Sequence, residues 1–291
     1  MTRRISDTDL ILNPDGSIYH LNLLPEDLAD TIITVGDPER VNEVSKHFDS
    51  IELKKGKREF ITHTGYIKNK RVTVISTGIG TDNIDIVLNE IDALVNIDFA
   101  TRMVKEVLTS LSIIRIGTSG SIRDAEPVGT ILASSFGLGL DALIQYYQLN
   151  YTNLELKILS DFSEHMSKVA NLSPYLTAAD PHLLALIGKG LQKGITVTAP
   201  GFYGPQGREL RVRSSIPNLI DLLNSFRSAE FYLKNLEMET AGIYALARLL
   251  GHRALSINAI LANRVNHEFS ANPSEIVELA IKHVLGRLHT L

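Results

Sequence analysis

The sequence has no cysteine. That removes disulfides, thiolate nucleophiles and cysteine-ligated metals, and it fits a reducing compartment. Long apolar runs are missing as well: no window approaches the about 18 uninterrupted apolar residues read as a spanning helix. The first residues, Met1 to Asp7, turn acidic without an apolar core, so no signal peptide is expected and the setting reads as cytoplasmic. Excess positive charge is also absent. A formal net charge of −4 over 291 residues argues against nucleic-acid binding through a basic surface. The densest basic stretch, Lys54-Lys55-Gly56-Lys57-Arg58, is expected to be a solvated turn. Linker-like segments, low-complexity runs and internal repeats are lacking. One domain is therefore expected over 1–291, with 1–17 as an N-terminal extension, and 44% hydrophobic residues are ample for its core.

Several catalytic signatures are incomplete. Gly78-Ile79-Gly80 could begin a dinucleotide fingerprint, but Asn83 stands where its last glycine belongs, and no phosphate loop of the G-x-x-x-x-G-K-[ST] type occurs. Gly117-Thr118-Ser119-Gly120-Ser121 ends in serine rather than the glycine of a nucleophile elbow. His267-Glu268 lacks the second histidine of a zinc helix. Dehydrogenase, NTPase, serine hydrolase and zinc enzyme all lose ground.

What is present is an alternation of short apolar runs and helical patterns. Thr31 to Val35, Arg71 to Thr77 and Ser112 to Ile116 read as strands, and each is followed by glycine. Ile84, Val87, Leu88, Ile91, Leu94 and Val95 share one face at helical spacing. Met238 to Leu250 reads as a helix stopped by Gly251, Ala254 to Leu261 as a buried strand, and Asn272-Pro273-Ser274-Glu275 as a capped start of the last helix. This alternation predicts an α/β fold whose sheet binds ligands at the carboxyl ends of its strands.

Three places there could hold an anion. In Gly36-Asp37-Pro38-Glu39-Arg40, Asp37 suits a helix N-cap and Pro38 the first turn. The backbone N–H groups beside Gly36 and the fork of Arg40 would favour a phosphate; an ordinary capped turn is the alternative. Arg115 sits inside an apolar strand, two residues before an expected Gly117–Gly120 turn, and a buried arginine needs a partner. A phosphate helped by the Thr118 hydroxyl would serve, and so would an internal carboxylate. Arg58 alone reads as a surface residue.

In this order GDPER, KREF, STGIG, RIGTSG, FYGPQGR, LEMET and LANR resemble the nucleoside phosphorylase-I family, specifically its uridine phosphorylase branch. The resemblance runs from about Ile18 to the C-terminus, with a divergent middle from Leu140 to Thr196. It implies a three-layer αβα sandwich around a mixed, partly barrel-like sheet, and a homodimer as the smallest active unit, with a hexamer of three dimers as the larger alternative. It implies reversible phosphorolysis of uridine to uracil and ribose 1-phosphate in pyrimidine salvage; broader pyrimidine or other nucleoside specificity and a silent nucleoside-binding protein are the alternatives. No cofactor is required, and inorganic phosphate is a co-substrate.

Residue by residue, the resemblance assigns phosphate to Gly36, Arg40, Arg115 and Thr118, and to Arg58 from the neighbouring subunit. It assigns ribose to Glu237, Met238 and Glu239, with His20 reaching across the dimer. The base falls to Phe202, Gln206, Arg208 and Leu261, with Arg264 behind them. The Gln206 amide and Arg208 match the imide edge of uracil, and Asn263-Arg264 replace the aspartate that purine-cleaving relatives use. Arg208, Gln206, Arg115 and Glu239 are the expected catalytic groups. Some relatives hold a monovalent cation between subunits with a glutamate, a carbonyl and a serine. Glu59 and Ile79 match the first two and Asn83 stands at the third, an oxygen ligand that still suits potassium.

Overall fold

A computed structural model of the chain describes residues 3–167, 169 and 172–291. Met1 and Thr2, within the expected extension, and Lys168, Ala170 and Asn171, within the divergent middle, lie outside the described residues. The chain divides into two compact units. One takes Met1–Ile79, Asn83–Ile114 and Leu246–Arg253, and the other Gly80–Asp82, Arg115–Ala245 and Ala254–Leu291.

In the first unit, β1 (Thr31–Val35) is buried along its whole length, which suits an uncharged and wholly β-branched run. It leads into α1 (Pro38–Ser45), where the Asp37 carboxylate accepts from the Glu39 N–H at 2.9 Å and Pro38 opens the first turn. Strands β2 (Ser50–Lys57), β3 (Phe60–Ile67) and β4 (Lys70–Ser76) form an antiparallel meander, and β4 then pairs with β1 in parallel. Helix α2 (Thr81–Asn96) buries Ile84, Val87, Leu88, Ile91 and Leu94, while Val95 stays half-buried. Short strands β5 (Ile97–Asp98) and β6 (Met103–Val104) follow as a small hairpin. Arg102, in the turn between them, donates to the carbonyls of Ile5, Ser6 and Leu10 and so fastens the N-terminal segment.

The basic stretch departs from expectation: Lys54 to Lys57 belong to β2, and only Arg58 and Glu59 turn the chain into β3. Two of these lysines, Lys55 and Lys57, find partners for their heads. Lys55 Nζ reaches Asp27 at 2.6 Å; Lys57 Nζ donates to the Tyr19 carbonyl at 2.5 Å and lies 4.4 Å from the Tyr19 ring centre.

The second unit contains β7 (Ser112–Ser121, entered from the first unit), β8 (Ile131–Gly139), α3 (Asn153–Met166), β9 (Tyr175–Ala178), α4 (Pro181–Leu186), β10 (Gln192–Thr198), α5 (Leu219–Ser225) and β11 (Arg227–Ser228). After these come β12 (Phe231–Glu237), α6 (Thr240–Leu250), β13 (Arg253–Asn263), β14 (Glu268–Phe269) and α7 (Pro273–Leu285). Strands β12, β10, β8, β13 and β7 are neighbours in that order, and β7 pairs again with β12, so five strands close on themselves. Around this barrel β12–β10 and β10–β8 pair in parallel, whereas β8–β13 and β7–β12 pair antiparallel. The fold is therefore mixed α/β with a partly barrel-like sheet, as the resemblance implied. Phe162 and Phe226 meet edge to face, ring centres 5.3 Å apart, within an apolar cluster that also holds Phe136, Leu138, Ile195 and Leu233. Among the described residues no helix is long and apolar enough to cross a membrane.

Two local expectations are corrected. The Gly117–Gly120 segment is strand, not turn: β7 continues to Ser121. Its glycines answer a packing need, since a Cβ on Gly117 would lie 1.8 Å from Arg115 Nη1. At α7 the Asn272 side chain makes no capping bond; its backbone N–H donates instead to Ser270 Oγ at 3.0 Å, although Pro273 does open the helix.

Candidate functional site

The second unit gathers a buried charged centre. Arg115 arrives on β7, and Glu237 and Glu239 flank the end of β12, where the strand gives way to α6. Arg115 Nη2 lies 2.6 Å from Glu239 Oε2 and 3.0 Å from Glu237 Oε2, while Nη1 donates to Asn258 Oδ1 at 3.0 Å and Ser256 Oγ at 3.4 Å. The internal-carboxylate reading of Arg115 is thus realised. Burial disfavours its charge, but Glu237 and Glu239 outweigh that and hold its pKa above the ordinary arginine value.

Glu237 is fully enclosed. Burial pushes its carboxyl above the usual range; Arg115 pulls it back and neighbouring Glu239 pushes it up again. Its oxygens accept from Thr198 Oγ1 at 2.6 Å and from the N–H groups of Glu239 at 3.0 Å and Thr240 at 2.9 Å, so it also caps the start of α6. Glu239 Oε1 accepts from the Gly80 N–H at 2.8 Å, where Gly80 holds φ 97. Each carboxylate oxygen has a second lone pair, so Glu239 keeps capacity for another donor. Met238 is half-buried between the two glutamates in sequence, and Thr118 is half-buried on β7.

Three of the expected base-binding residues, Phe202, Gln206 and Arg208, also come together. Gln206 is buried at the end of a 3-10 turn (Gly204–Gln206), and Gly207 follows at φ 65. Arg208 stacks on Phe202, Cζ 3.8 Å from the ring centre, and donates through Nη1 to Gln206 Oε1 and to the Phe202 carbonyl, both at 2.7 Å. Behind them Arg264 donates to the carbonyl of Gln206 at 2.8 Å and that of Gly207 at 3.4 Å. Burial and then the charge of Arg264 bring the Arg208 pKa down to about 10, which leaves it a cation at neutral pH. Leu261 is half-buried on β13. Asn263 is occupied structurally: Nδ2 donates to the carbonyls of Arg123 and Glu126, and Oδ1 accepts from Val265 and Asn266.

In the first unit, Gly36 packs against the loop after β4: a Cβ there would lie 3.4 Å from the Gly78 carbonyl. Arg40 is half-buried in the first turn of α1. Arg58 is exposed at the tip of the β2–β3 hairpin, with φ 55. His20 is fixed by Glu90, whose carboxylate lies 2.6 Å from Nδ1 and accepts from the His20 and Leu21 N–H groups. The side chains of Glu59 and Asn83 meet at 3.3 Å beside Gly78, and Ile79 is exposed.

Sequence reasoning missed Gly80, Thr198, Thr240, Ser256 and Asn258, all bonded to the buried charges or to one another. A signal existed for two of them. Ser256 and Asn258 interrupt an apolar strand two residues apart, hence on one face.

The family model described as "Phosphorylase superfamily" matches residues 30–289. A curated protein named uridine phosphorylase from Thermococcus kodakarensis is 29% identical over 256 residues, covering 88% of this chain and 80% of its own. A DeoD-type purine nucleoside phosphorylase from Buchnera aphidicola is 23% identical over 276 residues, covering 92% and 100%. A solved Trypanosoma brucei nucleoside phosphorylase, whose crystal structure is described as showing uridine phosphorylase activity, superposes with a TM-score of 0.89 at 30% identity, covering 97% of this chain and 100% of its own. The chain belongs to the phosphorylase superfamily and is an enzyme of the nucleoside phosphorylase kind, a pentosyltransferase.

Proposed function

We propose that the enzyme is a uridine phosphorylase, and that its two units act as a single catalytic domain. The observation that carries the base assignment is the Phe202–Gln206–Arg208 cluster braced by Arg264. An amide and a guanidinium side by side offer donors to carbonyls and an acceptor to N3–H, the pattern of a uracil edge. Asn263 supports this reading, because its amide is committed to the loop and supplies no acid for a purine N7.

In the reaction a phosphate oxygen bonds to ribose C1′ as the C1′–N1 bond breaks. The electron pair leaves with uracil, and the departing anion takes its proton from solvent. Gln206 and Arg208 stabilise the charge growing on the uracil carbonyls, an interaction that strengthens in the transition state. Glu239, with Met238 beneath the sugar and Glu237 beside it, accepts from the ribose hydroxyls and holds C1′ in line for attack. Gly36, Arg40, Arg115 and Thr118 bind the phosphate, and Leu261 lies against the base.

Arg58 and His20 serve the neighbouring subunit's site, making a homodimer the smallest active form. The exposed hairpin tip that holds Arg58 in a left-handed conformation supports that role. Mixing Arg58→Ala and Arg208→Ala subunits would restore one complete site per mixed dimer; persistent inactivity would count against it. The Glu59 carboxylate, which accepts from Asn83 Nδ2 at 3.3 Å, offers with the Asn83 Oδ1 and the Ile79 carbonyl a set of hard oxygen ligands that suit potassium as a structural ion.

The direct assay follows uridine absorbance with and without phosphate, with thymidine and inosine alongside. Loss of uridine only with phosphate, and little loss of inosine, is expected. Cleavage of inosine at the uridine rate would overturn the base assignment.

A further inference from the structure

The closed barrel of the second unit holds a belt of polar side chains in spatial order, two from β7 and one each from β13, β8, β10 and β12. Arg115 on β7 donates from Nη1 to Asn258 Oδ1 on β13 at 3.0 Å. Asn258 Nδ2 donates to Ser134 Oγ on β8 at 2.9 Å. The hydroxyls of Ser134 and Thr196 (on β10) lie 2.5 Å apart, and Thr196 donates to Asn235 Oδ1 on β12 at 2.8 Å. Asn235 Nδ2 then returns to β7, donating to Ser119 Oγ at 2.9 Å. Because the Thr196 hydrogen is spent on Asn235, the Ser134 hydroxyl must donate to Thr196. Every bond around the barrel therefore runs in the same sense, from Arg115 to Ser119, and such chains polarise one another.

Arg115, Asn258, Ser134, Thr196 and Asn235 are at most 4% exposed, and Ser119 is 9% exposed. Burying so many polar groups costs stability unless each is satisfied, and aliphatic side chains would fill the same space without that cost. The belt begins at the one buried guanidinium that also touches both glutamates. Its first link opposes them: Glu237 and Glu239 hold Nη2, while Asn258 and Ser256 hold Nη1. Ser256 is placed in turn by Thr240 Oγ1 at 2.8 Å and Asn258 Nδ2 at 3.2 Å.

We propose that Asn258 is a positioning residue for phosphate use: as the first link of the belt it keeps Nη1 of Arg115 turned away from the carboxylates that hold Nη2, so that the guanidinium stays set for the anion. This rests on the reading of Arg115 as a phosphate-binding group. Without Asn258, Nη1 keeps only the longer contact to Ser256 Oγ at 3.4 Å against two carboxylates on Nη2, and phosphate loses a preset cation while the uracil-recognising loop is untouched.

The test is steady-state kinetics on Asn258→Leu, which is close in volume, and on Thr196→Val, which cuts the belt three links from Arg115. The expected result is a KM for phosphate raised at least about ten-fold in Asn258→Leu and about three-fold in Thr196→Val, with the KM for uridine within two-fold of the unaltered enzyme in both. Variants that fold and keep the original KM for phosphate, or raise both KM values together, would overturn the proposal. Should Asn258→Leu not fold, Thr196→Val decides. If the unaltered enzyme cleaves uridine without needing phosphate, the underlying reading fails and the belt's role falls with it; a missing KM split in a phosphate-dependent enzyme removes only the belt.

Discussion

Gly117→Ala tests the charged centre with a single methyl group. A Cβ at position 117 would lie 1.8 Å from Arg115 Nη1, 2.2 Å from Cζ and 2.5 Å from Nη2. These are positions no methyl and guanidinium can share, and Gly117 is not in the left-handed region, so backbone strain adds nothing. The guanidinium must move, and its contacts of 2.6 Å to Glu239 and 3.0 Å to Glu237 are lost or stretched. Breaking a buried ion pair by displacing one partner costs about 3–5 kcal/mol. Overpacking alone costs about 1–3 kcal/mol, and the two overlap because both are relieved by the same displacement. A loss of about 3–5 kcal/mol in urea unfolding is therefore expected, together with at least about a hundred-fold loss in kcat/KM for phosphate, the scale of a removed charge-stabilising donor. Gly120→Ala is the control, since its Cβ would meet the flexible Arg264 stem at 3.4 Å and Ala262 Cβ at 3.9 Å, both within ordinary contact. A Gly117→Ala protein as stable as Gly120→Ala, with full activity, would refute the account of Arg115.

Arg208→Ala should lose about 100- to 1,000-fold in kcat for uridine, because it removes both the proposed uracil contact and the partner of Gln206 Oε1; near-normal turnover would remove Arg208 from the mechanism. For Glu237, burial raises the folded-state pKa, so its protonated form stabilises the fold at low pH and that contribution is lost as pH rises through the raised value. The difference in thermal midpoint between the unaltered enzyme and Glu237→Gln should accordingly shrink as pH climbs above the ordinary glutamate range, and a difference that grows there would reverse the assignment. Asp37→Ala removes the side-chain cap on α1 and should cost about 1 kcal/mol in urea unfolding; an unchanged midpoint would show that Pro38 alone fixes the helix start.

Much of the fold was legible where periodicity or chain stereochemistry acts locally. β1 reads as an uncharged, β-branched strand and is buried throughout; Asp37-Pro38 reads as a helix start and caps one. Errors came where long-range packing decided the local state. Gly117 to Gly120 look like a turn, but glycine is there to admit a guanidinium from two residues earlier on the same strand. Lys54 to Lys57 look like a solvated turn, but Asp27 and Tyr19, distant in sequence, supply partners that let the strand form. Arg115, Gln206 and Glu239 were legible as individual chemistry-bearing residues through their motifs. The belt was not, because its links join residues up to 143 positions apart and depend on the barrel closing.

The central claim is that phosphate becomes covalently attached to the sugar. Incubating the enzyme with uridine and inorganic phosphate and following phosphorus-31 resonance tests this most directly. The account predicts that the inorganic phosphate signal declines as a sugar phosphate ester appears in equal amount to released uracil. Uracil released with free ribose, while the phosphate signal stays constant, would contradict it and make the enzyme a hydrolase.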